Sequence, residues 1–180
     1  MIQAARRAAQ TALLASAVVA LAACATAPPA GAPNDLISGR LSLQVAANAD
    51  RLAQNMSAAF ELQGRAEEGE LRLISPLGTQ LAAARWAPGR ASLQTSQGTQ
   101  AYSNLDELSR QALGEVVPLA ALPSWLTGQP WSGLPHQWHA QGFEQAGWQV
   151  LLARQAEGVI EAHRTQPSAV VLRVRLDMTP

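Results

Sequence analysis

The chain has 180 residues, 14% of them charged, and a formal net charge of zero. A globular protein ordinarily carries about 25% charged residues, so this one is poor in charge, and all 13 of its basic residues are Arg. With no excess of positive charge and no basic stripe, nucleic acid is excluded as an expected partner.

The first 23 residues read as an export signal. Arg6 and Arg7 give a positive start, and the apolar run from Ala12 to Ala23 follows. That run has the length of a signal core and is too short to span a bilayer. The arginine pair lacks the rest of a twin-arginine signal, which points to the general export route. The run ends in Leu21-Ala22-Ala23-Cys24, which resembles the lipobox of bacterial lipoproteins. In that motif the Cys receives lipid and becomes the new first residue. Charge, apolar run, small residues and the chain's single Cys coincide here. A lone Cys forms no internal disulfide; the alternative is an ordinary secretory signal with a chance Cys. One acyl chain anchors only marginally, whereas a bacterial lipoprotein Cys carries three. Ala25 follows it; an Asp there favours inner-membrane retention in enterobacteria, so Ala leans towards the outer membrane. Residues 24–35 are rich in Pro and Ala and read as a lipidated tether. Residues 36–180, about 145 in number, suffice for one domain.

From Leu36 the period-2 alternation of half-buried strands begins. Ile37, Gly39, Leu41, Leu43 and Val45 face one way, and Ser38, Arg40, Ser42 and Gln44 the other. Residues 46–54 read as a loop. Met56, Ala58, Phe60 and Leu62 then alternate with polar or small residues, and Gly64 to Gly69 makes a charged turn. Leu71 and Leu73 continue the pattern, and Leu81, Ala83 and Arg85 resume it after a break. Pro88-Gly89 is the next turn, and Ala91, Leu93 and Thr95 carry the meander to Gly98.

Between the two halves of the central hairpin sits Ser75-Pro76-Leu77-Gly78. Pro76 fixes its own φ and Gly78 permits a positive one, so the segment is a turn. Leu77 is a large apolar side chain at a place where polar residues are expected. Either it folds back onto its own strands, or it is an exposed apolar tip that touches a membrane or a partner.

Two helices interrupt the strands. Asn104 suits an N-cap, with Glu107 completing a capping box; Leu105, Leu108 and Ala112 share a face, and Gly114 suits the C-terminal cap. A second helix lies between Pro118 and Gly128, with Leu119, Leu122 and Leu126 on one side. Pro123 there predicts a kink or a helix that starts near it. Strands resume with Trp138, with Trp148, Val150 and Leu152, and with Val170, Leu172, Val174 and Leu176 opposed by Val171, Arg173 and Arg175. The pattern reads as a mainly β chain with a few helices (α+β), a sheet that curls under its helices and can leave an apolar cavity between them.

No catalytic residues, metal ligands or cofactor are expected. His136 and His139 are close together, but no Cys or carboxylate motif supports them, and they read as surface residues, with His163 elsewhere. There is no G-x-S-x-G elbow, H-E-x-x-H or phosphate loop, so the chain does not read as an enzyme.

Several segments together resemble the LolB family, outer-membrane lipoprotein receptors of Gram-negative bacteria. They are the lipobox, the strand GRLSLQV from Gly39, the pattern G-x-L-x-L-x-S-P-L-G-T from Gly69, the helix ending Trp125-Leu126-Thr127-Gly128, and GFEQAGWQV from Gly142. The resemblance covers nearly the whole chain after Cys24. It implies an incomplete antiparallel β-barrel with helices covering an apolar cavity, and a monomeric receptor anchored on the periplasmic face of the outer membrane. Its partners would be a LolA-type periplasmic carrier, lipoprotein acyl chains and outer-membrane phospholipid. It also implies that Leu77, between Pro76 and Gly78, is the exposed turn residue needed for delivery. The rival classes are another lipid carrier, a structural envelope lipoprotein and a lipoprotein enzyme.

Overall fold

The computed structural model describes residues 36–177 apart from 48, 50 and 51. Cys24, the signal segment and the tether lie outside the described residues. The described chain forms one antiparallel sheet of eleven strands. In chain order these are β1 (Ile37–Val45), β2 (Gln54–Gly64), β3 (Gly69–Ile74), β4 (Gln80–Ala87), β5 (Arg90–Thr95) and β6 (Gly98–Tyr102). Two helices follow, α1 (Leu105–Leu113) and α2 (Leu122–Leu126), then β7 (His136–His139), β8 (Gly142–Gln145), β9 (Trp148–Leu151), β10 (Val159–Arg164) and β11 (Val170–Leu176). The sheet order is β6-β5-β4-β3-β2-β1-β11-β10-β9-β8-β7, and β6 and β7 form its two edges without a ladder between them. The sheet is therefore open, and the chain is mainly β with few helices, as expected.

The alternation read from β1 and β2 holds. Leu41 faces Ala58, Leu43 faces Met56, and on the other side Leu41 faces Val174 and Leu43 faces Leu172. These residues line one face of the sheet, and helical residues Leu105, Leu108, Leu119, Leu122, Trp125 and Leu126 join them in a single core cluster. Opposite-signed side chains organise the other face. Glu70 accepts from Arg72 at 2.9 Å and pairs with Arg85 at 2.9 Å, and Glu161 accepts from Arg173 at 2.8 Å. The hydrogen bond from Arg72 holds the Glu70 carboxyl below its ordinary value of 4.5. Gly39 has a separate reason to be glycine. A Cβ there would stand 2.2 Å from the Arg175 carbonyl oxygen, so any side chain would push β1 off β11.

Three local expectations are corrected. Leu81 and Ala83 do not continue the face of Leu73. Leu73 pairs with Ala82 and Ile74 with Gln80, so Leu81 is the extra residue of a bulge, and the buried Ala84 and Trp86 line the core face instead. On α1 the buried set is Leu105, Leu108 and Ser109, while Ala112 is exposed. Ser109 is tied in because its hydroxyl donates to the Asp106 carbonyl and accepts from the Val117 amide. The third concerns the capping box. Asn104 Oδ1 does accept from the Glu107 amide at 2.8 Å, but the Glu107 carboxylate closes on Ser103, accepting from its amide and its hydroxyl. For Pro123 the second of the two expected outcomes holds, a helix that starts near it. A 3-10 turn at Leu119–Ala121 leads into α2, and Pro123 falls in its first turn, where an amide has no helical partner to lose.

Candidate functional site

Strand direction decides what lies near the predicted tip. The β3–β4 turn, residues 75–79, is at the end of the sheet where β1 ends and β11 begins. Within it the Gly78 amide donates to the Ser75 carbonyl at 3.0 Å and the Ser75 amide to the Thr79 carbonyl at 2.8 Å. The Ser75 hydroxyl accepts from the amides of Leu77 and Thr79. Gly78 has φ 81° with nothing within 4 Å of where a Cβ would be, so the backbone conformation and not space requires glycine there. Ala146 is the one non-glycine with positive φ among the described residues, so Leu77 keeps a negative φ and the turn is of the type I kind.

Leu77 is 93% exposed. The alternative in which it folds back onto its strands is thereby overturned, because the turn's own hydrogen bonds hold it away from them. Near the same end, the apolar face of the sheet is incompletely covered. Met56, Leu73 and Leu93 are half-buried there and pack against the core. Ile37, Tyr102 and Leu176, at the opposite end, are half-buried as well, and the helical cover is tightest beside the β8–β9 turn. Trp125 is 1% exposed and stands edge-on to Phe143 at 6.3 Å and tilted to Trp148 at 6.2 Å. A recess lined by Glu67, Trp86 and Leu105 lies at the opposite end and is unrelated to the tip.

Two buried polar groups hold the helical cover to the sheet. Gln145 accepts from Trp125 Nε1 at 2.8 Å and from the Trp131 amide at 2.9 Å, and its amide donates to the carbonyls of Trp131 and Leu134. Arg164 donates to the Val116 carbonyl at 2.8 Å, pairs with Glu115 and lies 5.2 Å over the Trp148 ring. Neither residue announces itself in the sequence, because its partners are 11 to 49 positions away. His136 and His139 sit on edge strand β7, both exposed, and His139 stands 3.9 Å from Glu144. His163 is on β10 beside Glu161. No cluster of three metal-ligating side chains occurs among the described residues, and no described helix is long and apolar enough to cross a membrane.

A family model described as outer membrane lipoprotein LolB matches residues 36–179. The chain belongs to the LolB family. An outer-membrane lipoprotein LolB of Bordetella petrii is 33% identical over 171 residues, covering 87% of this chain and 85% of its own. The protein of the same name from Bordetella pertussis is 33% identical, covering 88% and 86%. That from Cupriavidus metallidurans is 32% identical, covering 72% and 70%. Membership in LolB makes this an outer-membrane lipoprotein, and LolB is a receptor family, not a class of enzymes.

Proposed function

We propose that this protein accepts lipoproteins from a LolA-type periplasmic carrier and inserts them into the outer membrane. The acyl chains would lie in an apolar cavity between the sheet and its helical cover. The observation that carries the reading is the adjacency of two features at one end of the sheet. One is the apolar tip Leu77; the other is the half-buried apolar surface of Met56, Leu73 and Leu93. Exposing a 16-carbon acyl chain to water costs on the order of 10 kcal/mol at ~0.8 kcal/mol per CH₂, so cargo must pass from one apolar site to another without a free intermediate. A lipidated Cys24 would hold the receptor at its destination, and Pro76 and Gly78 would keep Leu77 presented to phospholipid. Transfer would then run downhill, ending in the bilayer.

The test is direct transfer. A LolA-type carrier loaded with an acylated lipoprotein is mixed with the receptor lacking its lipid, and cargo is followed by co-purification. Cargo should move to the receptor and displace a hydrophobic fluorescent probe bound beforehand to the folded protein. Cargo that stays on the carrier sinks the reading. Probe binding only after near-UV circular dichroism is lost would indicate a molten state and no cavity.

A further inference from the structure

Leu77 is not alone at its end of the sheet. Leu52, on the β1–β2 connection, is 86% exposed. The antiparallel register places that connection at the same end as the β3–β4 turn, since β2 runs from Gln54 towards Gly64 and pairs Ala59 with Ile74, the last residue of β3. The bulged Leu81, 47% exposed, follows the Leu77 turn. Leu134, also exposed, lies two residues before β7 and so at this end too, because His136 pairs with Gln145 at the close of β8.

Charge divides the two ends in the same way. The β3–β4, β5–β6, β8–β9 and β10–β11 connections, all at the Leu77 end, contain no Asp, Glu, Lys or Arg. The fifth connection there, β1–β2, carries one residue of each sign, Asp50 and Arg51. At the opposite end the β4–β5 and β7–β8 turns are uncharged, but the β2–β3 turn carries Arg65, Glu67 and Glu68, and the β9–β10 connection carries Arg154 and Glu157. Charged groups are costly to bring against a hydrocarbon boundary and exposed leucines are favoured there.

We propose that Leu52 is a second bilayer-contacting tip, and that this charge-poor end of the sheet is the surface that lies against the membrane. This rests on the reading of Leu77 as a membrane tip and adds a second point to it. A single contact leaves the receptor free to pivot. Two contacts on different hairpins fix how the sheet is inclined. Strand β2 continues through Gln54–Ala58 beyond its last pairing with β3. At about 3.3 Å per residue this sets Leu52 roughly 10 Å further out along the strands than Leu77. The strands therefore meet the bilayer at a slant, with the half-buried face of Met56 and Leu73 held beside it.

The experiment uses the full lipidated protein on vesicles of phosphatidylethanolamine and phosphatidylglycerol. Lipidation of Cys24 would consume the only native thiol, so a single introduced Cys accepts an environment-sensitive fluorophore. Leu52→Cys, Leu77→Cys and Glu67→Cys are labelled and exposed to lipid-borne nitroxide quencher. Quenching at positions 52 and 77 should exceed that at 67, and Leu52→Glu should slow cargo delivery by about tenfold, the value of one buried Leu, with an unchanged melting temperature. Quenching at 77 without quenching at 52 overturns the second tip and leaves the role of Leu77 standing. Quenching at neither position overturns both. A label at 52 that is shielded only when the carrier is added shows that this surface meets the carrier, and that also overturns the proposal.

Discussion

Replacing Leu77 by Glu separates folding from delivery. Because the side chain is 93% exposed and the turn's hydrogen bonds come from the backbone and Ser75, folding should lose no more than about 0.5 kcal/mol. For a domain of this size that is a shift of at most about 2 °C in Tm. At the bilayer the ledger differs. Losing the burial of one Leu removes roughly 1.5–3 kcal/mol, which lowers the population of the inserted tip by about ten- to a hundredfold. The carboxylate adds to this in the same direction. On the proposed route the tip acts only in delivery, so acceptance of cargo from the carrier should be unchanged. The assay therefore has two steps: loading in solution, then release to vesicles that are sedimented and assayed for cargo. Cargo should load normally and remain on the receptor. A fall of 5 °C or more in Tm would show, at the scale used here, that Leu77 supports the fold. Delivery unchanged in a stable variant would show that the tip is idle. Either result refutes the reasoning.

Asn104→Ala removes the acceptor of the Glu107 amide and should cost about 1 kcal/mol, seen as a fall of a few degrees in thermal melts. Stability should also fall in acid. Glu70, held by the hydrogen bond from Arg72, and Glu107, held by the Ser103 hydroxyl, both have lowered folded values. Their contribution is therefore present above the unfolded value near 4.5 and is lost as pH falls through the folded ones. Tm should be flat from neutral pH to about 5 and decline below, with the Arg72→Met variant showing a shallower decline. The membrane form should show a mature N-terminus at Cys24 with three acyl chains by mass spectrometry; a chain cleaved elsewhere would remove the anchor from the scheme. Finally, β1 enters the sheet at Ile37, beside the β2–β3 turn and away from Leu77, so tether length should matter. Deleting residues 27–32 should leave the protein anchored but slow delivery, and a neutral insertion of equal length should restore it.

The strands with one apolar and one polar face were readable directly, because a two-residue period survives wherever the ladder is regular. β1, β2 and β11 are of this kind. The period failed at Leu81 because a bulge inserts one residue and turns every later side chain over, and nothing in Gln80-Leu81-Ala82 marks where that happens. β10 is hard to read from the sequence for a different reason. Its Glu161, His163 and Arg164 hide the pattern of Val159–Arg164, and Arg164 is buried only because Glu115, far off in the chain, is there to meet it. Spacing alone puts Ala112 on the buried face of α1, but the helix ends at Leu113 and Ser109, one turn earlier, has the hydrogen bonds that justify burial. The tip was easier, since Pro76 and Gly78 define a turn and Leu77 is out of character within it. Leu52 had no such frame, and only the register of the strands on either side brings it to the same end.

Every ladder in the sheet joins strands that follow one another in the chain except that between β1 and β11. There Gly39 faces Leu176, across almost the whole described chain. A chain made from its N-terminus can pair β1 with β2 at once but must keep the other edge of β1 open until the last strand exists. Such an edge, with Leu41, Leu43 and Val45 beside it, is a template for pairing with another molecule. Closing it brings together the most distant partners in the molecule and is the slowest kind of contact to form. The final strand, Val170–Leu176, thus sets the moment at which a newly made molecule stops being sticky. A chain interrupted before Val170 would carry a complete β1–β6 meander and an unprotected centre, a species for chaperones and proteases to find.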